Sequence, residues 1–225
     1  MNFQMILVIS SPSMSTTGFA TLILPAIKLH QVHLVFVNKL LVSYIFVDFS
    51  WSSEQIALRE RARCVANEAV KKYGRFNDTW MNGYSREFSR ELAEHGWIGM
   101  TWPTEFGGGG RPAIERLIVG EEMISAGAPI AASWFADRQM GPALISYGTK
   151  SQQDTFLPSM LSGETTWCIG MSEPNSGSDL ASLKTFAQRD GDEFVINGQK
   201  IWTSFGEHAD YCYLICRTSN EGSAH

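Results

Sequence analysis

The chain has 225 residues, 44% hydrophobic and 18% charged, enough for one large or two small domains with a buried core. Its formal net charge of −5 argues against a nucleic-acid binder, because phosphates are neutralised by lysine and arginine. Its four cysteines form no Cys-x-x-Cys pair and its five histidines form no His-Glu-x-x-His motif, so no metal site is predicted. The thiols are expected to be reduced, as in a cytoplasmic protein.

Residues 1–50 form an atypical hydrophobic extension that contains no glutamate. Its apolar run Val32–Val47 is shorter than the ~20 residues of a bilayer-spanning helix, and Asn38 and Lys39 interrupt it. No basic residue precedes the apolar stretch near the N-terminus, as a secretory signal would require. Three interpretations stay open, namely a stretch upstream of the true start, a membrane anchor, or an ordered extension.

Residues 51–165 are predicted to form an N-terminal all-α domain of five short helices. Capping boxes, in which side chains satisfy the first free N–H groups of a helix, are predicted at Ser52 and Thr149. The other helices are expected at 86–95, 113–126 and 139–147. The third helix is expected to carry its apolar side chains on one face: Ile114, Leu117, Ile118 and Ile124.

Residues 166–225 are predicted to form a middle β domain, possibly truncated, because the hydrophobic period changes from that of helices to that of strands. Strands are expected at 166–172, 183–188, 193–197, 199–203 and 211–217. The pairs Asp190-Gly191 and Asn197-Gly198 predict hairpins, since both positions of a type I′ turn need positive φ. The expected fold class is therefore α+β, a helical domain followed by a small antiparallel β-barrel.

Two stretches carry possible chemistry. The first is a strand that opens into the small polar loop Met171–Asp179, and the second is the hairpin Asn197–Ser204, which bears Trp202. Taken alone, the loop is an ordinary Ser/Gly turn and the tryptophan an ordinary core residue.

Together, Met171-Ser-Glu-Pro-Asn-Ser-Gly-Ser-Asp179 and Asn197-Gly-Gln-Lys-Ile-Trp-Thr-Ser204 resemble the flavin-binding signature of the acyl-CoA dehydrogenase family. Gly96–Gly109 and Tyr147–Pro158 look like the family's passages through the helical domain and toward the β domain. The resemblance covers about residues 52–218. It implies a third, C-terminal helical domain, which we expect to be missing from this chain.

The resemblance also implies an FAD site. Backbone and hydroxyl groups of Ile169, Met171 and Ser172 would line the edge of the flavin ring. Trp202 would pack on the ring face away from substrate, with Thr203 and Ser204 at the polar edge. Gly177 and Ser178 would reach the pyrophosphate, and Ser178 would also touch the acyl-CoA substrate.

None of the carboxylates is assigned as a catalytic residue. Glu173 and Asp179 are interpreted as groups that fix the loop, and Glu121 and Glu122 as a solvated helix face.

The activity implied is α,β-desaturation of an acyl-CoA thioester, with electrons passed to a transfer partner. The base is usually a glutamate of the C-terminal domain, so the chain alone is expected to be inactive and to bind FAD weakly or not at all. A homo- or hetero-oligomer is expected at full length. The alternatives are an acyl-CoA oxidase-like flavoenzyme and a non-catalytic pairing subunit of a dehydrogenase complex.

Overall fold

The structure is a computed structural model that describes residues 50–219 and the strand backbones of 4–7, 29–37 and 40–47. These three strands are β1 (Gln4–Leu7), β2 (Leu29–Val37) and β3 (Leu40–Val47), and β2 pairs with β3 in antiparallel register. The remaining parts of the hydrophobic extension lie outside the described residues. Within the described part of the chain, no helix combines the length and apolar character needed to traverse a lipid bilayer.

Short helices fill the segment 51–165, as predicted. They are α1 (Ser53–Tyr73), α2 (Thr79–Asn82), α3 (Arg86–Glu94), α4 (Ala113–Ala126), α5 (Ala131–Phe135), α6 (Gly141–Tyr147) and α7 (Lys150–Leu161). A π-helical turn, Ala136–Met140, joins α5 to α6. Both predicted capping boxes are confirmed, at Ser52 before α1 and at Thr149 before α7. The sequence patterns missed α2 and α5, which are only 4 and 5 residues long.

Two hydrophobic clusters hold the helices together. In the first, an alanine-rich face of α1 packs against Ile118 and Met123 of α4. In the second, Trp102 lies beneath the π-helical turn and donates its indole N–H to the carbonyl of Asp137 at 2.9 Å. Gly141 makes room for this ring, because a Cβ there would come within 1.9 Å of Trp102.

The predicted apolar face of α4 is wrong in part. Ile118 is buried, whereas Ile114, Leu117 and Ile124 are 37%, 58% and 43% exposed. The reason is the helical period, which places Leu117 and Ile124 roughly 100° to 120° around the axis from Ile118, with the less exposed Ile114 between these two and Ile118. Glu122, expected on a solvated face, is instead buried and accepts hydrogen bonds from Arg59 and Arg63 of α1.

The strands of the second segment are β4 (Trp167–Gly170), β5 (Phe186–Asp190), β6 (Glu193–Asn197) and β7 (Tyr211–Leu214). The β5–β6 hairpin, with Asp190 opposite Glu193, confirms the turn predicted at Asp190-Gly191. However, β4 pairs with β7 in parallel, and β1 adds to β7 in parallel as well. Among the described residues, the strands form one three-stranded sheet and two separate two-stranded ladders, so the α+β class is right but a closed antiparallel barrel is not seen.

The strand predicted at 199–203 does not form. Trp202 has φ = 57°, a left-handed backbone conformation that no strand residue adopts. The N–H of Ile201 donates to the carbonyl of Ser172 at 2.9 Å instead of joining a ladder with β6. The predicted hairpin at Asn197-Gly198 is therefore wrong, and the segment 199–204 crosses the end of β4.

Candidate functional site

The two stretches that the sequence singled out meet at the carboxyl end of β4. Besides the bond from Ile201 to Ser172, the ammonium group of Lys200 donates to the carbonyl of Met171 at 2.8 Å. The same ammonium group pairs with the carboxylate of Glu173 at 2.9 Å. The segment that carries Trp202 is thus fastened to the loop that carries Ser172.

Glu173 fixes this loop from within. It is 6% exposed, and its two oxygens accept the backbone N–H groups of Lys184 at 2.7 Å and Thr185 at 2.8 Å. Burial by itself would raise the pKa of Glu173, but the hydrogen bonds from Thr185, Lys184 and Lys200 outweigh it and lower the pKa to about 2. A carboxylate held this way is a poor proton acceptor, so Glu173 has the properties of a structural anchor.

Trp202 lies on the surface of this assembly. Trp202 is 86% exposed, which contradicts the alternative of a core tryptophan. A bulky residue in the left-handed region is strained. An indole that is exposed to water also forgoes the stabilisation that its burial would provide. A feature that costs stability in two ways points to a contact made with a ligand or partner.

The hydroxyl groups beside the indole are free to bind. Within the described part of the chain, Ser172, Ser178, Thr203 and Ser204 make no side-chain hydrogen bond. Ser172, Thr203 and Ser204 are half-buried, and Ser178 is exposed. Thr203 and Ser204 follow Trp202 directly, and Ser172 belongs to the loop that is bonded to this segment through Ile201.

The other predicted residues differ in what they present. The half-buried side chain of Ile169 packs against the second hydrophobic cluster, whereas Met171 is 38% exposed beside the loop. Gly177 is exposed, and a Cβ added to it would meet no atom within 4 Å. This chain by itself therefore gives no steric reason for glycine at that position.

Sequence patterns missed the aromatic contacts that tie the site to the helices. Phe205, which also has a positive φ of 63°, lies 5.7 Å from Phe135 of α5 and 6.4 Å from Tyr84 between ring centroids. Tyr84 also stacks on His208 at 4.3 Å. In each of these contacts the two residues are at least 70 positions apart in the chain, so no local pattern signals the contact.

The arrangement fits a planar ligand with polar edges. An exposed indole offers a face for stacking, and the neighbouring hydroxyls offer hydrogen bonds in the plane of the ligand's edge. The isoalloxazine ring of a flavin has this shape and polarity. Within the described residues, no group of three histidine, cysteine, aspartate or glutamate side chains is placed to hold a metal ion.

Comparison with known proteins identifies the family of the chain. The sequence profile of the acyl-CoA dehydrogenase N-terminal domain matches residues 52–164, and that of the middle domain matches residues 168–225. The chain therefore belongs to the acyl-CoA dehydrogenase family, whose members are oxidoreductases that use FAD.

Among its relatives is acyl-CoA dehydrogenase FadE26 of Mycobacterium tuberculosis, 44% identical over 138 residues, which cover 61% of this chain and 34% of the relative. Among solved structures, the Tcur3481-Tcur3483 steroid ACAD has a TM-score of 0.73 at 39% identity, covering 80% of this chain and 47% of that one. The ChsE4-ChsE5 complex from Mycobacterium tuberculosis has a TM-score of 0.69 at 36% identity, covering 79% and 46%. The chain thus spans about a third of the matched curated relative and about half of each matched structure.

Proposed function

We propose that this chain supplies the flavin-contacting part of an FAD-dependent dehydrogenase that introduces an α,β double bond into an acyl-CoA thioester. The observation that carries the proposal is Trp202, an exposed indole held at positive φ on a segment bonded to the Ser172 loop. Bound FAD would supply the redox chemistry by accepting two electrons from the acyl chain.

In this proposal the chain's own residues position the ring. The indole of Trp202 stacks on one face, while Thr203 and Ser204 bind the polar edge. The hydroxyl of Ser172 and the backbones of Ile169 and Met171 face the opposite edge. The exposed residues Gly177 and Ser178 extend toward the pyrophosphate, and Ser178 also contacts the acyl-CoA.

The proton acceptor is proposed to come from outside residues 50–219. Glu173, the carboxylate next to Ser172, is committed to Lys200, Lys184 and Thr185, and its lowered pKa makes it a weak base. Glu122 is similarly committed to Arg59. We therefore expect no dehydrogenase turnover from this chain alone and only weak FAD binding.

A fluorescence titration with FAD, extended to millimolar concentration, tests the proposal. Trp202→Ala removes the stacking surface, and we expect it to weaken binding about fivefold, because an aromatic stack contributes ~1 kcal/mol. Phe194→Ala is the matched control, since Phe194 is also an exposed aromatic, at 39%, but lies on the β5–β6 hairpin.

Equal FAD affinity of the parent chain and Trp202→Ala would refute the proposed ring contact.

A dye-reduction assay with acyl-CoAs should accompany the titration. Turnover by the chain alone would refute the proposal that the base lies elsewhere. Straight-chain and steroid acyl-CoAs should both be assayed, because one structural neighbour is described as a steroid enzyme.

A second candidate, a subunit that pairs with another dehydrogenase chain, is favoured by two of the matched structures, each of which is named for two components. Co-expression with a full-length dehydrogenase from the same genome, followed by affinity purification, tests it. Co-purification of the second chain together with flavin would favour pairing, whereas elution of this chain without a partner would argue against it.

A further inference from the structure

Two cysteines lie side by side in the sheet that leads to the Ser172 loop. Cys168 of β4 and Cys212 of β7 are direct partners in the parallel register of these strands. Neighbouring strands lie about 4.8 Å apart, and a disulfide joins Cα atoms that are roughly 4.4–6.8 Å apart. The register therefore places the two backbones within the reach of a disulfide, and both thiols are free in the structure.

Both side chains also project from the same face of the sheet. Gly170 lies two residues after Cys168, so the two positions share a face of β4. A Cβ built on Gly170 would lie 3.4 Å from the sulfur of Cys212. The Cys212 sulfur thus lies over the face of β4 that carries Cys168, which is the orientation that a cross-strand link needs.

Cys212 is the more reactive of the two thiols. It is half-buried, whereas Cys168 is only 2% exposed. The neighbouring thiol of Cys168 lowers the pKa of Cys212 most, and burial opposes this effect. The backbone N–H of Gly170 and the ammonium group of Lys200 lower this pKa further. The pKa of Cys168 is raised, chiefly by its hydrogen-bonding interaction with Cys212, so the first thiolate of the pair forms on Cys212.

The other two cysteines differ from this pair and provide internal controls. Cys216 is 2% exposed and lies four residues beyond Cys212. This spacing is roughly 13 Å along an extended chain, too far for a disulfide between the two. Cys64 is exposed on α1 in the helical domain, and its sulfur lies 3.8 Å from a carboxylate oxygen of Glu68.

We propose that Cys168 and Cys212 form an oxidative modification site, at which hydrogen peroxide converts the two thiols to a disulfide. The thiolate of Cys212 attacks one peroxide oxygen, the O–O bond breaks, and the departing hydroxide takes up a proton to become water. The sulfur of Cys168 then displaces hydroxide from the Cys212 sulfenic acid, and the proton that Cys168 releases completes a second water. The two thiols lose two electrons in total, and the peroxide gains them.

The crosslink would lie at the base of the Ser172 loop. Cys168 is four residues before Ser172, and Gly170 lies between them, where an added Cβ would be 3.4 Å from the side chain of Lys200. Oxidation therefore acts where the loop is anchored to the sheet. The inference uses neither flavin nor acyl-CoA, so it can fail or succeed independently of the proposed function.

Peptide mass spectrometry of the peroxide-treated chain tests the inference. The chain is reduced with dithiothreitol, desalted, treated with hydrogen peroxide, quenched with catalase and alkylated with N-ethylmaleimide in denaturant. We expect a crosslink between the tryptic peptide of Cys168 and the peptide that carries Cys212, with loss of alkylation at both thiols. Dithiothreitol should restore both thiols, which distinguishes the disulfide from sulfinic acid and from methionine oxidation.

Variants assign the link, because Cys216 lies on the same tryptic peptide as Cys212. Cys216→Ala is the matched control and should form the crosslink as the parent does, whereas Cys212→Ala should lose it completely. Cys64→Ser should also retain the crosslink, which shows that the exposed thiol plays no part in it. Circular dichroism melting confirms that each variant folds.

Two results would overturn the inference. One is a crosslink to the Cys168 peptide that persists in Cys212→Ala. The other is a parent chain in which Cys168 and Cys212 both remain open to alkylation under conditions that oxidise the exposed Cys64.

Discussion

Trp202 gives the clearest single-residue test of whether the candidate site sacrifices stability for binding. Replacing it with glycine removes an exposed indole and permits φ = 57° without strain. We expect Trp202→Gly to raise the free energy of unfolding by about 1 kcal/mol, measured by urea denaturation, while FAD binding weakens.

Phe194→Gly is the contrasting variant, because Phe194 lies in strand β6 and has no positive φ to relieve. It should destabilise the chain, since glycine is unfavourable within a strand. If Trp202→Gly lowers stability as much as Phe194→Gly does, the idea that Trp202 is held there for function loses its support.

Glu173 makes stability depend on pH in a predictable direction. Its pKa is lowered in the folded state from the ordinary 4.5 to about 2, so the ionised form stabilises the fold. This contribution is present in full above about pH 5 and is lost as the pH falls through the folded-state pKa. We expect the unfolding free energy to fall between pH 5 and pH 2, measured by urea denaturation at each pH.

The variant Glu173→Gln should flatten that part of the pH profile. At pH 7 it should lower the unfolding free energy by about 3 kcal/mol, because Lys200 and the two backbone N–H groups lose their charged partner. Asp192→Asn, at an exposed position in the β5–β6 turn, serves as the control and should leave the profile as in the parent. An unchanged pH slope in Glu173→Gln would show that another group is responsible.

Between elements, Glu122 joins α4 to α1. Its carboxylate accepts hydrogen bonds from Arg59 at 2.7 Å and from Arg63 at 2.8 Å and is almost fully buried. Glu122→Gln should lower the unfolding free energy by about 2 kcal/mol, since the buried charge pair is broken while the arginines remain partly hydrated. Thermal or urea unfolding measures the loss.

The neighbouring Glu121 provides a matched control on the same helix. It is half exposed, and its carboxylate lies 3.9 Å from the Arg59 guanidinium, a long distance for an ion pair. Glu121→Gln should therefore change stability by less than ~0.5 kcal/mol. Equal effects of the two variants would contradict the assigned roles of these glutamates.

Elements whose signals are local could be predicted from the sequence. The capping boxes at Ser52 and Thr149 involve residues three positions apart, and Asp190-Gly191 determines its own turn. Parallel pairing of β4 with β7 depends on residues more than 40 positions apart, so no short pattern reveals it. The strand predicted at 199–203 does not form for a similar reason. The hydrogen bond from Ile201 to Ser172, which is distant in the chain, outweighs the local strand propensity.

For the whole molecule, resemblance to a family supplied what local patterns could not. The loop Met171–Asp179 and the segment Asn197–Ser204 were paired because the family pairs them, and the structure brings them within hydrogen-bond distance. The exposed side of α4 was not predicted, because the exposure of Leu117 and Ile124 becomes visible only in the packed helices.

The most direct test of the central claim is ¹⁹F NMR of the chain labelled with 5-fluorotryptophan and titrated with FAD. The chain has seven tryptophans, and the signal absent from Trp202→Phe identifies Trp202. We predict that FAD shifts or broadens the Trp202 signal, while those of the buried Trp102 and Trp167 stay unchanged. A Trp202 signal that remains unperturbed at millimolar FAD would contradict the assignment of this surface as the flavin platform.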